Sequence, residues 1–501
     1  MNKIKMLAIS VFAAMASAYA QNETDALKYT ESFLGGTARS QGTAGAFGAV
    51  GADFSATVIN PAGLGLYRRN EANFGMSLEY NNSKASYLGN STSDFRPNFN
   101  IQNWGFVGTK VYSELGEDRK VGLVSWSVGG GMNRVSSYQS NVKFNGVNSQ
   151  SSILDYFKKS ANGTSSYEIE DNFNSTQNNY ANTPGAQAYW NFLLDTANNS
   201  STYMALTDGV YGAKLLQQQQ MQTRGAANEY NISSGINLSN IIYLGGSLML
   251  RHVYSETDIF FSEESQGTVP NYTSSSLRTL VNSSGKGVAG RFGIIVRPLD
   301  WFKVGFAAQT PMRINMHDDY KFVLSTVNSR KNATSDPGRY DYFDYQVVSP
   351  SKLTFSAAAT ILSKGIISVD YETIDYTQMS LTADNYFFTQ ENNAISNTMK
   401  RAGNLRVGAE VKIAEYYRLR GGYAMYESAY KDNSTVDFNR YAITGGMGFL
   451  VDRVFVDFAV VNSFGNQLIP VYDTGDANKP SPTAINAYNN FNFVLSGGIR
   501  F

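Results

Sequence analysis

The sequence contains no cysteine and only two histidines. Disulfides, thiolate metal sites, cysteine nucleophiles and a lipid-modified N-terminal cysteine are therefore excluded at the outset. Charge is also scarce: Asp, Glu, Lys and Arg make up 16% of the chain, against roughly 25% in an ordinary soluble domain. The 41 basic and 41 acidic residues cancel, so the chain lacks the basic footprint that nucleic-acid binding needs. There are only 11 prolines, and no apolar run reaches the roughly 20 residues that a membrane-spanning helix requires.

What is abundant is rings and glycine: 32 Tyr, 30 Phe and 45 Gly. That inventory favours aromatic-studded strands joined by tight turns. At 501 residues the length would allow about three ordinary domains, a soft prior that large barrels break. The first twenty residues read as a signal peptide. Lys3 and Lys5 precede an apolar stretch from Met6 to Ala16, and Ala18-Tyr19-Ala20 supplies a small-x-small cleavage site. The mature protein is thus expected to be exported.

From residue 71 onward the chain alternates with period two. Ala72, Phe74, Met76, Leu78 and Tyr80 share one strand face, with Asn73, Gly75, Ser77 and Glu79 on the other. Leu405, Val407, Ala409, Val411 and Ile413 oppose Asn404, Arg406, Gly408, Glu410 and Lys412 in the same way, and Phe491, Phe493, Leu495, Ile499 and Phe501 end the chain on one face. Fourteen strands are predicted, starting near residues 72, 101, 119, 225, 241, 287, 301, 350, 365, 402, 416, 439, 454 and 489. Connections after even-numbered strands are short, such as Ser239-Asn240 and Val451-Asp452-Arg453. Those after odd-numbered strands are long: Met132 to Thr223, Ser255 to Lys286, Asn315 to Gln346, Thr382 to Lys400 and Gly465 to Tyr488. An even strand number with this asymmetry of turns is the pattern of an all-β, fourteen-stranded antiparallel transmembrane barrel in an outer membrane. Strand-end rings, including Tyr80, Tyr254, Trp301, Phe302, Tyr417 and Phe501, would form its interfacial girdles.

Residues 21–70 never settle into alternation and are dominated by Gly and Ala. Their small size suits close packing inside a barrel, with Phe33, Phe47, Phe54, Val58 and Ile59 as apolar anchors. Glu23, Asp25, Lys28, Arg39 and Asp53 are placed to pair with lumen charges such as Arg251, Arg291, Arg406, Arg418 and Arg420. In the long loop spanning residues 131–223, Thr183-Pro184 starts a helix along which Ala186, Tyr189, Trp190, Leu193, Leu194 and Ala197 recur at helical spacing. Ser152 to Lys159 is a second candidate helix. The two apolar faces would either line a capture groove or pack together as a lid. Gly129-Gly130-Gly131 closes the third strand, where a glycine run permits a bend or simply starts the loop.

The stretch from Ala52-Asp53 into Asn60-Pro61-Ala62-Gly63-Leu64, the segments Pro350–Tyr371 and Leu405–Tyr426, and the terminal Phe501 together resemble the FadL/OmpP1/TodX family of outer-membrane transporters of hydrophobic compounds. The resemblance implies a barrel, residues 71–501, blocked by an N-terminal hatch, residues 21–70, that carries Asn60, Pro61, Ala62 and Gly63. It also implies an outer apolar groove, for which Tyr189, Trp190, Leu193 and Leu194 are the candidates, and a kinked third strand opening sideways, for which Gly129, Gly130 and Gly131 are the candidates. The function then expected is passive uptake of long-chain fatty acids or other hydrophobic compounds, without cofactor or metal, by a monomer whose partners are its ligand, outer-membrane lipid and, during biogenesis, the barrel assembly machinery. Two alternatives stay open: a FadL-like barrel serving as a protein-binding component of a secretion system, and a porin-like channel. Catalysis is not expected. His252 falls on the lipid-facing register, and His317, beside Asp318-Asp319, falls in a predicted loop; neither has the neighbourhood of a positioned base. Gln217 to Gln220 has no assigned role.

Overall fold

The computed structural model describes residues 22–501 except 34, 115–116, 175–181, 198, 363, 432–435 and 477. The expected signal peptide, residues 1–20, lies outside the described residues. None of the described helices is long and apolar enough to cross a membrane, and the crossing is made by strands.

Fourteen strands close into one antiparallel barrel. They are β1 Glu71–Tyr87, β2 Asn90–Val111, β3 Leu123–Ser137, β4 Leu215–Leu238, β5 Ile242–Ser265, β6 Tyr272–Leu299, β7 Phe302–Gln309, β8 Lys352–Ile361, β9 Gly365–Asp375, β10 Arg401–Lys412, β11 Tyr417–Tyr426, β12 Arg440–Val451, β13 Val454–Pro470 and β14 Thr483–Arg500. Each pairs with the next, and β1 pairs with β14 from Glu71↔Arg500 to Ser86↔Ile485, so no edge remains. Asn70 and Phe501 exchange backbone hydrogen bonds at the seam of the chain's two ends. At the short-turn end, Ser239 and Asn240 both take positive φ, 55° and 58°, the two-residue hairpin geometry that matches strand twist.

The alternation does what the sequence requires. Phe74, Leu78 and Tyr80 of β1 are exposed on the outer wall while Asn73, Ser77 and Glu79 are buried inside. Leu248 and Leu250, Phe292, Phe306 and Phe355, Met447, and Phe493 and Leu495 continue this outer apolar band around the barrel. Rings stack at its ends, Tyr417 on Phe449 at 4.7 Å and Trp301 on Phe302 at 5.6 Å between centroids.

The strands run much farther than a membrane needs. About ten residues suffice to cross, whereas β5 has 24 and β6 has 28. Ser255 to Lys286, expected as a loop, is a continuous ladder down to the Glu264↔Ser274 pair. Asn315 to Gln346, also expected as a loop, is mostly strand: Arg313–Asn328 pairs with β6, and Asp341–Val348 pairs with Arg313–Asn328. The sequence conceals these extensions because above the membrane the outer face meets water while inward side chains such as Phe261 and Phe322 pack on an apolar body inside the barrel, so the lipid-out, polar-in alternation no longer holds.

Candidate functional site

Two bodies fill the barrel. The lower one is the N-terminal segment: helix α1 Glu23–Thr30, helix α2 Ala38–Gly42 and the 3₁₀ turns Phe54–Val58 and Pro61–Leu66. Side chains cap every one of these starts. Asn22 accepts from the Thr24 and Asp25 amides, Thr37 from Ser40, Asp53 from Ser55 and Asn60 from Ala62. Such short turns have little intrinsic stability, so the wall must hold them.

Glycines on the inner wall let the segment come close. A Cβ at Gly293 would fall 1.8 Å from Asn60 Oδ1, one at Gly245 would fall 2.3 Å from the Pro61 carbonyl carbon, and one at Gly408 would fall 2.4 Å from the Thr43 carbonyl oxygen. Asn60, Pro61, Ala62 and Gly63 therefore dock on β5 and β6. Asn60 Nδ2 also donates to the Gly48 carbonyl at 2.8 Å, and Gly63 packs against Gly51 and Ala56 within the segment itself.

Gly131 and, more loosely, Gly129 have a similar part, Gly130 meets no plug atom, and the strand does not kink at them. All three sit in unbroken ladders, opposite Val107, Phe106 and Gly105 on β2 and opposite Ser233, Ile232 and Asn231 on β4. The Phe54 ring occupies the space that a Cβ on Gly131 or Gly105 would take. The irregularities in β3 fall elsewhere, between Leu123 and Ser125 before the glycines and between Arg134 and Ser136 after them. At the second, β2 and β3 part: their ladder ends at Asn103↔Asn133, and Ser140–Asn148 continues along β4 alone. Above that point the seam is stitched by side chains. Arg96 donates to Gln139 at 3.0 Å and to Asn141 at 2.9 Å, and Lys143 pairs with Asp94 at 3.2 Å. The outward rings Phe95 and Phe99 lie beside this seam, which therefore opens at the height of the outer half of the apolar band.

The upper body is a cap built from residues 149–214, with helices α3 Ile153–Ala161, α4 Ser166–Asn174 and α5 Pro184–Trp190. The expected helix from Pro184 to Ala197 stops at Trp190, because the chain reverses at Asn191 and at Phe192 with φ 58°. Tyr189, Trp190, Leu193 and Leu194 do not line an open groove. Leu193 and Leu194 are buried in one core with Leu154, Phe157, Tyr203 and the inward side chains Phe261, Phe322 and Ile469 of the extended strands. Trp190 is half-buried, with the Lys331 ammonium 5.5 Å from its ring. The lid arrangement thus prevails, and it plugs the outer mouth.

Gln217, unassigned from sequence, ties the cap to the wall. Its amide donates to Glu263 at 2.6 Å and to the Tyr472 hydroxyl at 2.8 Å. Glu263 in turn accepts the Ile153 amide at 3.0 Å and the Ser152 hydroxyl. A buried carboxylate thereby sits at the N-terminus of α3, where the helix dipole favours it. The signal in the sequence was the excess of polar residues at inward positions, which low complexity masked.

Between the two bodies lies a second apolar cluster that sequence reasoning missed. Met249, Met312, Met316, Met379 and Met399 surround Tyr138, Tyr345, Tyr376 and Phe388, and α1 inserts Ala26, Leu27 and Tyr29 into their midst. These residues come from α1, β5, the strands Arg313–Asn328 and Asp341–Val348, and the connections that follow β3, β7 and β9, so no local pattern marks them. Below the cluster the lumen turns polar. Arg39 pairs with Glu410 at 3.1 Å, Arg420 with Glu410 and Asp457 at 2.6 Å each, and Arg251 and Arg291 with Glu229 at 3.5 and 3.2 Å. Of the five segment charges expected to meet lumen charges, Arg39 does so on Glu410, the carboxylate that Arg420 also holds, whereas Asp53 turns inward to Thr37 at 2.9 Å. A cavity of about 50 Å³ remains among Glu229, Arg291, Lys352, Glu372, Arg406 and the Ser32–Phe33 stretch.

His317 lies on the strand Arg313–Asn328, where Asp344 holds its Nδ1 at 2.6 Å and raises its pKa. Among the described residues no cluster of His, Asp and Glu is arranged to hold a metal ion.

Two carboxyls of the N-terminal segment are poised near neutrality. Burial pushes Asp25 up to about 7 against the opposing Lys28, with Asp318 and Glu23 adding to the rise. Burial likewise pushes Glu31 up to about 7 against Arg440 and Lys352. Both side chains keep some contact with the lumen, but inside a closed barrel. A raised acid pKa means that docking favours the protonated carboxyl, so this contribution is complete at low pH and lost as pH rises through about 7. Lys28, lowered by its own burial, titrates in the opposite sense. Protection of the amides of residues 23–31, with exchange corrected for its intrinsic rise with pH, is therefore expected to fall between about pH 4.5 and 7.5. D25N/E31Q, which keeps both groups neutral, should remove that dependence; an unchanged profile in the variant would refute the assignment.

Comparison with protein-family models and with curated proteins finds no match. Solved structures do match. A FadL homologue of Pseudomonas aeruginosa aligns with a TM-score of 0.53 and 12% identity over 94% of this chain and 99% of its own. The toluene transporter TodX of Pseudomonas putida aligns with a TM-score of 0.53 and 13% identity over the same shares. The toluene transporter TbuX of Ralstonia pickettii aligns at 0.50 and 14%, again over 94% and 99%. The chain therefore has the fold of the FadL and TodX outer-membrane barrels.

Proposed function

We propose that this protein carries hydrophobic small molecules, long-chain fatty acids or hydrocarbons, passively across the outer membrane and performs no catalysis. The methionine-lined cluster between cap and plug carries this reading. Methionine is unbranched and polarisable, so it adapts to ligands of different shape. A ligand that replaced Ala26, Leu27 and Tyr29 of α1 in that cluster would gain roughly 0.8 kcal/mol for each CH₂ buried, enough to displace a short helix without another energy source. The side-chain-stitched seam between β2 and β3 would then be its way out into the membrane. A porin-like reading needs a water column where the cap and plug stand, and no feature of the cap favours a secreted protein over a small ligand.

The test exploits the absence of cysteine. Gly48 and Ser356 bring plug and wall together, with 2.9 Å between the Ser356 Cβ and one built on Gly48 and no backbone atom of the wall in between; a disulfide wants about 3.8 Å, a shift the segment can make. In proteoliposomes, G48C/S356C should lose uptake of a labelled fatty acid or toluene when oxidised and regain it with reductant. Uptake indifferent to the clamp would refute a moving plug, and absence of uptake in the unmodified chain for both ligand kinds would refute the transport reading.

A further inference from the structure

The outer wall carries a cluster of basic side chains, two of them cations, for which the lumen has no use. His252 on β5 and Lys286 on β6 are register partners, and Arg313 pairs with Val288, one outward-facing step below Lys286. All three point away from the lumen, Lys286 and Arg313 exposed and His252 half-buried. They stand directly above the apolar band formed on these strands by Leu248, Leu250, Val288 and Phe292. Tyr230 and Tyr254 flank them.

Two features set this cluster apart. First, none of the three has a hydrogen bond or ion pair among the described residues, whereas Arg39, Arg251, Arg291, Arg406 and Arg420 inside the barrel are all paired. The nearby acids are engaged elsewhere: Asp258 with Arg278, Asp344 with His317, and Glu256 with the Tyr254 hydroxyl. Second, the upper outward surface of β1, β13 and β14 carries one isolated cation, Lys84, and no cluster. There Asn82, Asn462, Asn489 and Asn490 bond to one another.

Unpaired cations held at the upper edge of an apolar belt face the level at which lipid phosphates lie. Strands about 4.8 Å apart put the three side chains within reach of one headgroup, while Leu250, Val288 and Phe292 below offer acyl chains a continuous surface. We propose that the outward face of β5, β6 and the strand following β7, at His252, Lys286 and Arg313, binds the phosphates of an anionic glycolipid of the surrounding outer leaflet. This site is separate from the lumen and does not depend on the transport reading.

The experiment is native mass spectrometry of the full chain in a neutral maltoside detergent, titrated with diphosphorylated lipid A and, in parallel, with the same lipid after removal of its phosphates. The phosphorylated lipid should stay bound and the dephosphorylated one should not. K286Q/R313Q should bind it about thirtyfold more weakly, about fivefold for each cation removed, while the exposed Lys84 of β1, changed to Gln, leaves binding intact. Raising salt from about 50 to about 300 mM should weaken the unmodified chain and leave the double variant unmoved. Heat-modifiable mobility confirms that each variant is a folded barrel. Equal retention of the dephosphorylated lipid, or equal retention by K286Q/R313Q, overturns the proposal.

Discussion

A barrel lacking both residues 22–66 and the cap residues 149–214 is expected to conduct ions in planar bilayers, whereas loss of either segment alone should leave it silent. The two bodies are seals in series, and the current through such a path is set by the tighter one. The cap closes the outer mouth through an apolar core in which Leu154, Phe157 and Leu193 meet Phe261, Phe322 and Ile469 of the wall. Water has no partners there. The plug closes the lower lumen by direct backbone approach to wall glycines, Gly245, Gly293 and Gly408 among them, and leaves a cavity of only about 50 Å³. With both gone, the wall exposes Arg251, Arg291, Arg406 and Arg420 beside Glu229, Asp370, Glu372, Glu410 and Asp457, a lining that water wets readily. Conductance in either single deletion would show that the remaining body does not span the lumen. Silence in the double deletion would show that the barrel itself collapses, as loss of its heat-modifiable band would confirm.

The strands were legible because the membrane enforces alternation: Phe74, Leu78 and Tyr80 meet lipid while Asn73, Ser77 and Glu79 do not, and nothing else in the chain competes with that demand. Where lipid ends, so does legibility, which is why Ser255 to Lys286 and Asn315 to Gln346 read as loops. The glycines show the other limit. Gly129, Gly130 and Gly131 invite a kink on local grounds, yet what Gly131 provides is room for Phe54, a residue some 75 positions earlier that no local rule connects to it. The cap residues Leu193 and Leu194 were recognisable as apolar at helical spacing, but whether such a face is open or covered depends on Phe322 and Ile469, distant in sequence. The methionine cluster, assembled from many elements, left no trace in the linear pattern.

Glu229 is where a single substitution should cost most. Its carboxylate is buried on β4 between two guanidiniums, Arg251 at 3.5 Å and Arg291 at 3.2 Å. Each arginine reaches past it to the plug. Arg291 donates to the Thr57 carbonyl at 2.8 Å, and Arg251 to the Thr30 carbonyl at 3.3 Å and the Ser32 hydroxyl at 2.8 Å. Removing the carboxylate leaves two buried positive charges facing each other, and breaking a buried pair in this way costs about 3–5 kcal/mol. The plug is the only part of this arrangement that can yield, since the arginines are fixed on paired strands. E229A should therefore release the plug before the barrel: amide exchange should rise in residues 29–32 and 55–59 while the β4 and β5 ladders stay protected. E229D, which keeps a carboxylate between the two guanidiniums, should retain much of the protection. If E229A exchanges like the unmodified chain, the guanidiniums are not what holds the plug, and the glycine bed alone must do so. Loosening confined to the plug would identify Glu229 as the charge that sets how readily α1 leaves the apolar cluster above it.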